Sequence, residues 1–136
     1  MLHWFCLIWA GLAGTAHAAC GEQLPAPGRL QATAGGVQLA FAPRPAPLAV
    51  GRHFALEVEV CVPPGTPVPA ALRVDADMPA HRHGMNYRAT VQPLGPGRFV
   101  AEGLLFHMPG RWRFIFDLSG AGGAAPLRLT QEVALE

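Results

Sequence analysis

The sequence contains no lysine and a single serine, and only 14% of its residues are charged. Its ten arginines are scattered singly and the formal net charge is +1. Nothing therefore marks a basic surface for nucleic acid or a polybasic membrane patch. The one serine, Ser119, precedes Gly120-Ala-Gly-Gly123 and has none of the context of a nucleophile elbow, so a serine triad has no support. There is no HExxH, no glycine-rich phosphate loop and no carboxylate dyad beside the histidines. The expectation is a non-enzyme without a nucleic-acid partner.

An apolar run, Met1 to Leu12, is followed by Ala16-His17-Ala18. The run is too short to span a membrane, and small-x-small is a signal-peptidase site. Residues 1–18 are thus expected to be a signal peptide and residues 19–136 one domain, periplasmic or secreted, with no integral membrane segment in the mature chain. Cys20 raises lipid anchoring as an alternative, although His17 stands where a lipobox has an aliphatic residue. Cys6 leaves with the leader, so Cys20 and Cys61 remain as a pair in an oxidising compartment, and a disulfide is expected. Chain entropy assigns such a bridge, closing a loop of about 40 residues, about 4 kcal/mol. A two-cysteine metal site is the rival reading, but Cys-x-x-Cys spacing is absent.

Glycine and proline interrupt the chain every ten to fifteen residues, and short alternating runs lie between them. That spacing points to an all-β, immunoglobulin-like antiparallel sandwich of about seven strands. Strands are expected over Val37–Phe41, His53–Val62, Leu72–Met78, Tyr87–Val91, Arg98–Phe106, Arg111–Leu118 and Leu127–Leu135. Phe54, Leu56, Val58 and Val60 share one inward face, and Trp112, Phe114, Phe116 and Leu118 another. Pro43-Arg-Pro-Ala-Pro47 is expected not to form a central strand.

What the chain does contain is concentrated. Every methionine after the first, and three of the four mature histidines, fall between residues 78 and 108: Met78-Pro-Ala-His81-Arg-His83-Gly-Met85, then His107-Met108. Thioether sulfur and imidazole nitrogen suit a soft metal, Cu(I) above all. His81 and His83 lie on one side of any extended backbone, and Gly84 would let the chain turn so that Met85 approaches them. If the strands ending at Met78 and Phe106 finish at the same end of the sandwich, the two groups meet. The plainer reading is a polar loop with Met78 and Met108 filling gaps in the core. Asp75 and Asp77 raise zinc or Cu(II) as alternatives, against a solvated strand face. His53, remote in sequence, reads as structural.

The segments Asp77-Met-Pro-Ala-His-Arg-His-Gly-Met85, Pro93-Leu-Gly-Pro-Gly97, Gly103-Leu-Leu-Phe-His-Met-Pro-Gly-Arg-Trp112 and Phe116-Asp-Leu118 resemble the YtkA-like domain family, related to FixH-type proteins. The resemblance spans about residues 50 to 120. It implies a small exported or membrane-anchored immunoglobulin-like β-sandwich, and FixH relatives are associated with assembly of copper-containing respiratory oxidases. Ligand roles carry over to Met78, His81, His83, Met85 and Met108, while His107 rests on its position. The functional expectation is an exported Cu(I) carrier or buffer with a copper-receiving partner protein. The alternative is a non-metal accessory or interaction domain in which the motif only shapes a turn.

Overall fold

The computed structural model of the chain describes residues 14, 17–120, 122 and 125–136. The expected leader, residues 1–18, lies outside them but for residues 14, 17 and 18. Alternating burial sets the architecture. In Phe54–Cys61 every second side chain is buried, and the same holds for Ala71–Met78 and most of Gly110–Ser119. Such strands must each place one face against another layer.

Nine strands form among the described residues: β1 (Leu30–Ala34), β2 (Val37–Arg44), β3 (Phe54–Cys61), β4 (Ala71–Met78), β5 (His83–Gly84), β6 (Thr90–Gly95), β7 (Arg98–Leu104), β8 (Gly110–Ser119) and β9 (Leu127–Leu135). All pairings are antiparallel. One sheet has the order β1-β2-β3-β7-β6 and the other β5-β4-β8-β9. The sandwich expected from the sequence is therefore present. Its aromatic centre joins the layers: Phe41 of β2 lies 5.2 Å from Phe114 and 4.8 Å from Phe116 of β8, ring centre to ring centre. Each fully buried side chain of this kind contributes about 1.5–3 kcal/mol.

Three expectations are corrected. There are nine strands rather than about seven, because β1 and the two-residue β5 carry little alternation. The run expected at Tyr87–Val91 begins instead at Thr90, and Tyr87 is exposed. Pro43 does lie within β2, a central strand, where it pairs with Leu56 of β3. This is tolerated because β1 reaches only Phe41, so no strand flanks Pro43 on its other side.

Cys20 and Cys61 form the expected disulfide, with Cα atoms 5.9 Å apart. It holds the segment after Cys20 against the outer face of the larger sheet, where Leu24 packs on Ala40 and Ala42 in a second, small apolar cluster. The Arg29 guanidinium secures this arm by donating to the carbonyls of Gly21 (3.0 Å) and Leu24 (3.1 Å). A sulfur spent in a disulfide is not available for a lipid thioether. Unfolded, unreduced mature protein should show no reactive thiol by labelling, and replacing both cysteines with serine should lower stability by about 4 kcal/mol. Two labelled thiols per chain would contradict the bridge.

The outer face of the smaller sheet is held by arginine–carboxylate pairs. Arg128 grips Asp117 through two bonds, 2.7 and 2.9 Å. That guanidinium holds the Asp117 carboxyl below its ordinary value of 3.8. The stabilisation is present above this value and fades as pH falls through the depressed one. Asp117→Asn should therefore flatten the acid limb of stability against pH below about 4, by a modest amount because the pair is half-exposed. Denaturant melts across about pH 2–6 would show it, and an unchanged limb would exclude the effect.

Candidate metal centre

Two chain segments that are remote in sequence meet at one end of the sandwich. The first begins where β4 ends. The Met78 carbonyl accepts amide hydrogen bonds from His81 (3.0 Å) and Arg82 (2.9 Å), closing a tight turn. Arg82 takes the left-handed φ of 53° that this turn needs, so the turn expected at Gly84 falls two residues earlier. The chain then returns as β5, pairing His83 with Met78 and Gly84 with Asp77. The Met85 amide donates to the Ala76 carbonyl at 3.3 Å, which continues that pairing by one residue.

The second segment is the crossover from β7 of one sheet to β8 of the other. The indole N–H of Trp112 donates to the Met108 carbonyl at 3.0 Å and so fixes the backbone beside His107. Gly110 closes the turn at φ 125°, and a Cβ there would stand 2.7 Å from the Met78 methyl. Only glycine allows both this φ and the Met78 side chain beneath it.

The imidazoles are consequently neighbours. Ring centres of His81 and His83 are 5.8 Å apart, and those of His83 and His107 are 5.3 Å apart. Trp112, fully buried, closes the inner side, 6.0 Å from His83 and 5.3 Å from His107, both edge to face. Imidazole nitrogens bind borderline metals at about 2.0–2.1 Å, which separates two rings sharing one ion by about 5–6 Å centre to centre. Both spacings fall in that range.

Protonation is also constrained. His83 Nδ1 lies 3.2 Å from the Gly84 carbonyl oxygen, which can only accept, and the tautomer that donates to it leaves the Nε2 lone pair free. Metal-binding histidines are held by this kind of carbonyl contact. His107 Nδ1 is buried with no hydrogen-bond partner. A buried ring nitrogen in that state is an orphaned polar atom that an ion would satisfy.

Among the described residues, no group of three His, Cys, Asp or Glu side chains is arranged to hold a metal. Met85 and Met108 are half-buried and pack at the margin of the core, while Met78 is 1% exposed. His81 is exposed, and His83 and His107 are half-buried. The aspartates are otherwise engaged. Arg113 donates two bonds to Asp77, 3.0 and 2.6 Å, and Asp75 Oδ1 accepts from the Ala76 amide at 2.8 Å. His53 stands apart, its Nδ1 3.3 Å from the Leu104 carbonyl and its ring 5.0 Å from Tyr87. Sequence reasoning placed Trp112 in the core but missed its contact with the two imidazoles. The short interval from His107 to Trp112 was the available signal.

Fold and site together define a small disulfide-bonded β-sandwich with three histidine rings gathered at one end, among methionines of the neighbouring turns. The YtkA-like family model matches residues 31–117, more than half of the chain, and the chain belongs to that family. Among solved structures, the crystal structure of a DUF4426 family protein from Pseudomonas aeruginosa PAO1 resembles it with a TM-score of 0.52 and 12% sequence identity, covering 79% of this chain and 94% of that one. At such identity the likeness is one of fold. No match is found among curated proteins.

Proposed function

We propose that this protein is an exported copper-binding domain that carries or buffers Cu(I) at its His/Met end and passes the ion to a copper-receiving protein. The observation that carries the reading is the His83–His107 pair, 5.3 Å apart, with His107 Nδ1 buried and unpartnered. His83 and His107 would supply nitrogen, with the exposed His81 joining from the rim, and the nearby methionines Met85, Met108 and Met78 would be the thioethers that complete the set. This donor chemistry favours Cu(I) over zinc, because Asp77 beside the site is held by Arg113, both described cysteines are in the disulfide, and thioether sulfur adds little to a zinc site. Placement supports a carrier. His81 is exposed at the rim, so an incoming ligand can displace it before the half-buried rings let go, and no thiolate cage locks the ion in. Trp112 keeps water from the inner side of the rings. The disulfide and the leader-like N-terminus support an extracytoplasmic setting.

Titration of mature, oxidised protein with Cu(I) against a chromophoric chelator tests this. About one equivalent should be withdrawn per chain, since one cluster offers one shell, and zinc should bind more weakly. A protein that withdraws no copper would instead be an accessory domain whose His/Met motif shapes a turn.

A further inference from the structure

On one side β4 is paired with β8 from Ala71 to Asp77, but on the other β5 covers only Asp77 and Met78. The carbonyls of Ala76 and Met78 accept bonds from that second side. Backbone groups alternate along a strand, so the N–H and C=O of Val74 and Leu72 face the same way. No strand is hydrogen-bonded to them among the described residues, although β6 of the other sheet comes close to β4. The Ala76 amide is already occupied by Asp75. Native sheets usually blunt such an edge. On this flank the edge strand of the other sheet, β6, carries Pro93, whereas β4 has no proline.

The free edge borders a groove of about 530 Å³, whose opposite wall is the segment from Gly84 to Ala89. Arg73 and Arg88 line it, and Arg82 stands on the adjoining turn. Arg44, Arg111, Arg113 and Arg128 each pair with a carboxylate, but among the described residues none pairs with Arg73, Arg82 or Arg88. Asp117, across the sheet from Arg73, is already committed to Arg128. Arg82 and Arg88, which have no carboxylate partner among the described residues, and Arg73, which shares Asp117 with Arg128, thus flank open strand backbone, against the single carboxylate of Asp75.

We propose that this groove docks an extended acidic segment of another protein, which adds a strand to the free edge of β4. Main-chain bonds to Leu72 and Val74 would supply affinity and the arginines selectivity. Met85 also lines the groove, so a partner seated here would have its segment beside the His/Met end. The docking itself does not depend on the copper reading and can be tested on metal-free protein.

The test is a titration of metal-free, oxidised protein with a hexapeptide alternating Glu and Val, and with its Lys-for-Glu counterpart, followed by amide hydrogen exchange. The acidic peptide should bind with an affinity that weakens as salt rises, and should slow exchange at the Val74 amide about ten-fold or more. Arg73→Glu with Arg88→Glu should weaken binding about ten-fold or more, and the milder Arg73→Gln with Arg88→Gln less, both with Cu(I) binding unchanged. Equal binding of the lysine peptide, no binding of the acidic one, or protection that maps away from Leu72 and Val74 would overturn the proposal. Copper binding that fails while the peptide still docks would remove the carrier reading alone.

Discussion

Replacing His81 and His83 with alanine together is expected to weaken Cu(I) binding by about 100-fold or more while leaving the domain folded. The magnitude follows from scale: losing even an outer-shell partner lowers metal affinity about 10–100-fold, and here two nitrogen donors are lost. Stability should barely change, because His81 is exposed and His83 half-buried at a loop end, outside the aromatic core. Met85→Leu separates ligation from packing. It nearly conserves volume and apolarity, so stability should shift by less than about 1.5 kcal/mol, while Cu(I) affinity should fall because a donor is lost. The measurement is competition against a Cu(I) chelator, with circular dichroism as the check on fold. A double variant that held Cu(I) as tightly as the parent would place the site elsewhere.

Trp112→Ala should lower stability by about 3–5 kcal/mol. Trp112 is fully buried, stacks on Phe106 with ring centres 4.6 Å apart, and fixes the Met108 carbonyl through its indole N–H. The substitution therefore opens a cavity and leaves a backbone acceptor unpaired at once. Against the roughly 5–15 kcal/mol that holds an ordinary domain together, this is a large share. Trp112→Phe keeps one aromatic ring but drops the donor and part of the buried volume, so its loss should be smaller, about 1–3 kcal/mol. Urea unfolding of the three proteins distinguishes the outcomes, and an alanine variant as stable as the parent would mean that the inner face of β8 does not hold the layers together.

Long, strongly alternating strands were legible in the sequence because burial on one face imposes period two. β9 runs from Leu127 to Leu135 as expected, and the inward set Trp112, Phe114, Phe116 and Leu118 is the buried set. β1 was missed because Leu30–Ala34 offers one buried side chain, Ala32. Its signal lay in the turn: Gly35-Gly36, both at positive φ, joins Ala34 to Val37 as a two-residue hairpin. β5 has no signal of its own, since two residues pair there only because the Met78 carbonyl closes the turn before them. The meeting of the His81–Met85 loop with His107 was readable as a condition on where two strands end. The state of each nitrogen was not, because a carbonyl contact or an orphaned lone pair depends on backbone placement that no spacing encodes.

The crossover that carries His107 also joins the two layers, whereas His83 belongs wholly to the smaller sheet through β5. The two rings therefore straddle the seam at the end of the sandwich remote from the Cys61 end of β3 and its disulfide. With no covalent staple there, that seam is where slow breathing of the layers should begin, and the distance between His83 and His107 would gauge it. An ion gripped by both rings would act as a clasp across the seam, closing by coordination the end that the cysteines leave open.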